Sequence, residues 1–170
     1  MQTTLRLQSL PFDSVRTYLV ATLFIAGNIL MPQLFHLMPH GGAIWLPIYF
    51  FTLVGAYIYG WRVGLLTALA SPVINSVLFG MPGAGVLPAI MLKSVLLACI
   101  AGYVASRSNK ASIIHLLAVV AGYQTLGTLG EWALDGDFHL ACQDFRMGIP
   151  GMILQIVGGL AVISHLGRKN

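Results

Sequence analysis

Residues 87–106 read LPAIMLKSVLLACIAGYVAS, twenty positions with one charged side chain, Lys93. A run of ~20 apolar residues matches the ~30 Å hydrocarbon thickness of a bilayer at ~1.5 Å per helical residue. Outward from this stretch the pattern recurs. Turn punctuation divides the chain into six candidate helices, 17–37, 43–60, 63–79, 87–106, 112–134 and 146–166. The breaks are Pro39-His40-Gly41-Gly42, Trp61-Arg62, the small-residue run 80–85, Arg107-Ser108-Asn109-Lys110, and Asp135-Gly136-Asp137. With no linker between them, the expectation is an all-α, six-transmembrane-helix bundle forming one membrane domain over 1–170.

Composition supports the lipid environment. Of 170 residues, 57% are hydrophobic and 8% charged, against roughly 25% charged in average chains. So short a chain cannot enclose that much apolar surface in a water-soluble core. The net charge of +4 comes from scattered basic residues without a dense patch, which argues against a nucleic-acid partner. Cys99 and Cys142 form neither a ligand motif nor a disulfide framework. The first sixteen residues are mixed and polar, so a cleavable signal peptide is not expected.

Charge asymmetry sets the expected orientation. Arg6, Arg16, Arg62, Arg107, Lys110, Arg168 and Lys169 fall in the two tails, the second loop and the fourth loop. With six spans these segments share one side, and the positive-inside rule makes both termini cytoplasmic. Asp135, Asp137 and Asp144 fall on the other side.

Polar side chains within spans are costly and mark candidate sites. Asn28, Pro32 and His36 share a face of the first helix, and Pro32 is expected to free a backbone carbonyl there. Trp45, Tyr49 and Thr52 form a stripe on the second; Thr67, Ser71 and Asn75 align on the third. Gln124, Thr128, Glu131 and Asp135 align on the fifth, Lys93 sits early in the fourth, and Arg146 opens the sixth. Most lie in the outer half, so the expected site is an outward cup using Asn28, His36, Trp45, Tyr49, Asn75, Lys93, Gln124, Glu131 and Arg146. Lys93 and Arg146 are expected to meet a carboxylate or phosphate, with Glu131 as counter-ion or as a partner for a cationic group. Competing roles are snorkelling for Lys93, an interfacial ion pair for Glu131 with Arg146, and an aromatic belt for Trp45 and Tyr49. Thr67, Ser71 and the helix glycines fit packing better than ligand contact. No Walker A loop, GxSxG, HExxH or dinucleotide fingerprint occurs, and His36 with His40 is too sparse a set for a diiron site. No enzyme activity, metal or cofactor is therefore expected.

From Leu46 to Arg107 the sequence carries a resemblance. It includes Leu46-Pro47-Ile48-Tyr49, Gly60-Trp61-Arg62-Val63-Gly64-Leu65-Leu66 and Ala70-Ser71-Pro72. It continues with Leu78-Phe79-Gly80-Met81-Pro82 and Gly102-Tyr103-Val104-Ala105. This resembles the substrate-binding S component of energy-coupling factor (ECF) importers. The resemblance implies a receptor in the bacterial cytoplasmic membrane that captures a vitamin or similar micronutrient. It also implies docking on a membrane scaffold (the T component) driven by two cytoplasmic ATPases. Loops 39–42, 80–86 and 135–145 would serve as a lid. The family's Ala-x-x-x-Ala docking patch is replaced here by Thr22-x-x-x-Ala26, flanked by Ala21 and Gly27. The chain starts Met1-Gln2 and lacks the Met-His of nickel and cobalt members, which disfavours a metal substrate. The competing functional reading is an accessory or assembly subunit whose polar stripes serve helix packing, followed by a stand-alone transporter or a membrane enzyme.

Overall fold

The computed structural model describes residues 8–167 and the backbone of Thr3–Thr4. Arg6, Arg168 and Lys169 of the charge count, and the Met1-Gln2 start, lie outside the described residues. The chain is almost entirely helical, as expected. Five helices are long and apolar enough to cross a membrane: α1 (Val15–Phe35), α4 (Trp61–Phe79), α5 (Leu87–Ser108), α6 (Ile113–Asp135) and the composite Ile149–Leu166.

The second candidate span differs from expectation, because 43–60 is not one continuous helix. It divides into α2 (Gly41–Trp45), a 3-10 turn (Pro47–Tyr49) and α3 (Phe50–Tyr59). The reason is local. Pro47 disfavours right-handed helix at the residue before it, and Leu46 adopts a left-handed conformation with φ 46°. The sixth candidate also begins later than read. Arg146 belongs to a separate short helix, α8 (Gln143–Met147), and Gly148 separates it from α9 (Ile149–Ile153). A π turn (Leu154–Gly158) and α10 (Gly159–Leu166) complete that segment, and α7 (Phe138–Ala141) precedes α8.

One short β pairing was not legible in the sequence. Thr3–Thr4 (β1) pairs antiparallel with Lys110–Ala111 (β2). The amino segment continues along α3, with Gln8 and Leu10 amides donating to Ile58 and Tyr59 carbonyls at 2.9 and 3.1 Å. Tyr57 Oη donates to Lys110 O at 2.8 Å, so the α3 and α5 ends are tied together here. Arg62 stacks over Trp61 and Arg107 over Tyr103, both near this same end.

α4 packs against α1, α3 and α5, and α5 packs against α6. Glycine permits the closest of these approaches. A Cβ on Gly102 would lie 2.8 Å from Trp61 N, and one on Gly64 would lie 3.0 Å from Ala56 Cα.

A polar node joins α1, α3 and α4. Pro32 has no N–H, so the Asn28 carbonyl one turn earlier loses its helical donor; Asn75 Nδ2 supplies the bond at 2.9 Å. Asn28 Oδ1 accepts from Phe51 N in the first turn of α3 at 3.1 Å. Asn28 Nδ2 donates to Thr52 Oγ1 at 2.9 Å and reaches Ser71 Oγ at 3.4 Å. Thr67 and Ser71 hydroxyls donate to the carbonyls four residues earlier. Asn28, Thr52, Thr67, Ser71 and Asn75 are all buried.

Replacing Asn28 by Leu keeps the branching of the side chain and removes the side-chain half of this node. The expected cost is about 1–3 kcal/mol, read as a lower unfolding temperature in detergent, while Thr22→Val on the exposed face of α1 changes it little.

Candidate functional site

At the end of the bundle opposite β1 and β2, the broken second segment leaves a cavity of about 330 Å³. That is at the small end of ligand pockets. α2 and the 3-10 turn form one side, through Gly42, Ala43, Leu46, Ile48 and Tyr49. The 80–86 loop and the start of α5 form another, and Pro32, His36 and Asn75 line it from α1 and α4. Lys93, Glu131, Gln143 and Asp144 complete the lining.

The charged group is a trio on three elements. Lys93 Nζ lies 2.5 Å from Glu131 Oε2 and 2.8 Å from Asp144 Oδ2. The side chains are 4%, 11% and 16% exposed, so the trio is largely withdrawn from solvent. Gly127 makes this reach possible. A Cβ there would lie 2.5 Å from Lys93 Cγ, so only glycine lets the lysine stem lie across α6 toward Glu131, one turn further on. One lysine against two carboxylates gives the trio a formal charge of one negative unit.

The structure brings together His36, Tyr49, Asn75, Lys93 and Glu131 at the cavity and leaves the other four expected residues outside it. Asn28 is consumed by the packing node. Trp45 stacks on Phe35 at 5.4 Å between centroids, and its carbonyl abuts Gly151 of α9. Arg146 is exposed and sets Nη1 2.8 Å from His139 Nε2. Gln124 is buried below the cavity, and its amide has no side-chain or backbone partner among the described residues. Near it, Tyr123 Oη donates to Gln155 Oε1 of the π turn at 2.9 Å, and the Tyr123 ring packs 5.5 Å from that of Tyr49.

The expected pairing of Lys93 with Arg146 as an anion clamp is therefore corrected. Arg146 faces away, and Lys93 is already held by two carboxylates. The missed residue is Asp144. Its loop was legible as acidic, but its contact with Lys93 spans 51 positions and follows no helical period.

The docking patch on α1 also divides. Ala21 is buried in the core, and a Cβ on Gly27 would lie 2.8 Å from the Phe51 ring, so these two face the bundle. Thr22 and Ala26 face outward, Thr22 donating to Tyr18 O. Around them Leu19, Leu23 and Leu30 are exposed.

No family model matches the chain, and no curated protein and no solved structure matches it.

Lys93→Met would leave two adjacent buried carboxylates without their cation. The expected destabilisation is about 3–5 kcal/mol, whereas Arg146→Gln changes stability by no more than the about 0.5 kcal/mol usual for a surface substitution. Differential scanning fluorimetry of the two purified variants checks the contrast.

Proposed function

We propose that this chain is the solute-capturing membrane subunit of an importer of the energy-coupling factor kind, binding a small organic micronutrient from outside the cell. The observation that carries the reading is the cavity itself. It is closed on the bundle side by packed helices, it opens among short elements at one end, and it is lined by His36, Tyr49 and the Lys93 trio. Polar groups so arranged in a membrane bundle favour a ligand pocket or conduction path. The chain offers the pocket but, in its motifs, no nucleotide site, so partners would supply the energy: a scaffold protein and two cytoplasmic ATPases.

In this proposal the chain crosses the membrane six times, with α2, the 3-10 turn and α3 making the second crossing in pieces. Arg62 and Arg107 mark the cytoplasmic end, together with both termini, by the positive-inside rule. The cavity then faces outward. Thr22 and Ala26, flanked by exposed leucines, present small residues on the lipid-facing side of α1 where a scaffold helix could approach closely.

The accessory-subunit reading draws on the Asn28 node, which is packing chemistry. It gives no role to a cavity with a buried ion trio, and we rank it second.

Two measurements test the proposal. The chain expressed in a bacterial host with its neighbouring genes should copurify with a scaffold and ATPases, and mass spectrometry of the denatured protein should release one small organic molecule. Stable association with an unrelated complex and no released molecule would favour the accessory role. For orientation, a membrane-impermeant maleimide applied to intact cells should modify Cys142; labelling of Cys142 only after the cells are permeabilised would invert the topology.

A further inference from the structure

Resting on the receptor reading above, we infer that the cavity takes a small organic cation, a protonated amine or a charged nitrogen heterocycle, with its positive end at Glu131 and Asp144. The charge balance comes first. Lys93 supplies one positive charge and Glu131 and Asp144 two negative ones, with no other lysine or arginine lining the cavity. A monocation brings the enclosed site to neutrality, whereas a monoanion doubles its negative charge in surroundings that screen poorly.

The second observation concerns unused bonding capacity. Lys93 engages one oxygen of each carboxylate, Glu131 Oε2 and Asp144 Oδ2, so the other oxygen of each is free of the lysine to accept from a donor-bearing ligand. Tyr49 is 2% exposed and lines the cavity, and its hydroxyl makes no hydrogen bond among the described residues. An acceptor pair and an aromatic wall suit an N–H-bearing cation. The rest of the lining, including Ala43, Leu46, Ile48, Ala89 and Ile90, is apolar and fits an uncharged body.

The test uses three probes of one shape in nanodisc-embedded full-length protein: phenethylammonium, phenethyl alcohol and 3-phenylpropionate, each titrated by calorimetry and thermal shift. Phenethylammonium is expected to bind at least about tenfold more tightly than 3-phenylpropionate. Asp144→Asn, which alters the most solvent-accessible member of the trio, should remove about tenfold of that affinity. Lys93→Gln should act in the opposite direction, tightening the cation and raising its stabilising effect on the variant. A role for the trio in packing alone would move neither preference. Equal or tighter binding of 3-phenylpropionate, or unchanged cation affinity in both variants, overturns the charge assignment and leaves the receptor reading standing. Binding of none of the three, with no molecule released from purified protein, overturns both.

Discussion

The rest of the bundle depends on how α1 deals with its own proline. Pro32 deprives the Asn28 carbonyl of a helical donor inside a segment where no water can substitute. Asn75 of α4 meets that carbonyl, and the Asn28 side chain meets a first-turn amide of α3. Two asparagines thus satisfy the orphan groups created by two different backbone interruptions. Because hydrogen bonds in lipid have few alternatives, this fixes the depth of α1 against α3 and α4 more tightly than apolar contacts alone. With that depth set, His36 one turn above Pro32 and Asn75 one turn above Ser71 arrive at the same level, beside the start of α5.

The ion trio solves a related problem at the other wall. A lysine in a span is costly, and two carboxylates beside it make the cluster stable only with close geometry. That geometry comes from the absence of a side chain at Gly127 and from the placement of α8, which brings Asp144 over the α5–α6 pair. Cavity lining and helix packing therefore share residues here: altering Lys93 alters both. In the Asn28 node, by contrast, Asn28, Thr52 and Ser71 serve packing, and Asn75 also lines the cavity.

Much of this was legible in the sequence, and the failures have definite causes. Hydropathy with turn punctuation found α1, α4, α5 and α6 within two residues at each end, because long apolar runs leave few alternatives. It missed the break at Leu46, although Pro47 was in plain view, since hydropathy runs unbroken across it. Polar residues could be identified as buried and assigned to helix faces, but periodicity does not say which face meets a cavity and which meets another helix. Hence Asn28 and Gln124 were read as lining, and Asp144 was left among the loop charges. Arg146 was placed at the start of a span because nothing in composition distinguishes α8 from the helix that follows Gly148. The β1–β2 pairing joins residues over a hundred positions apart, beyond any local pattern.

The elements around the cavity mouth differ in kind from those beneath it. α2, α7 and α8 are four or five residues long, far below the length at which a helix holds itself together. Their order comes from tertiary contacts, among them the single bond from Asp144 to Lys93. Cooperative stability is accordingly graded along the bundle axis, with the mouth the first region to open in native-state fluctuations and the Asn28 level among the last. In the receptor reading proposed above, an entrance that opens without disturbing the floor would let solute exchange proceed at far lower free-energy cost than unfolding, so that occupancy could turn over while the helices below stay in register.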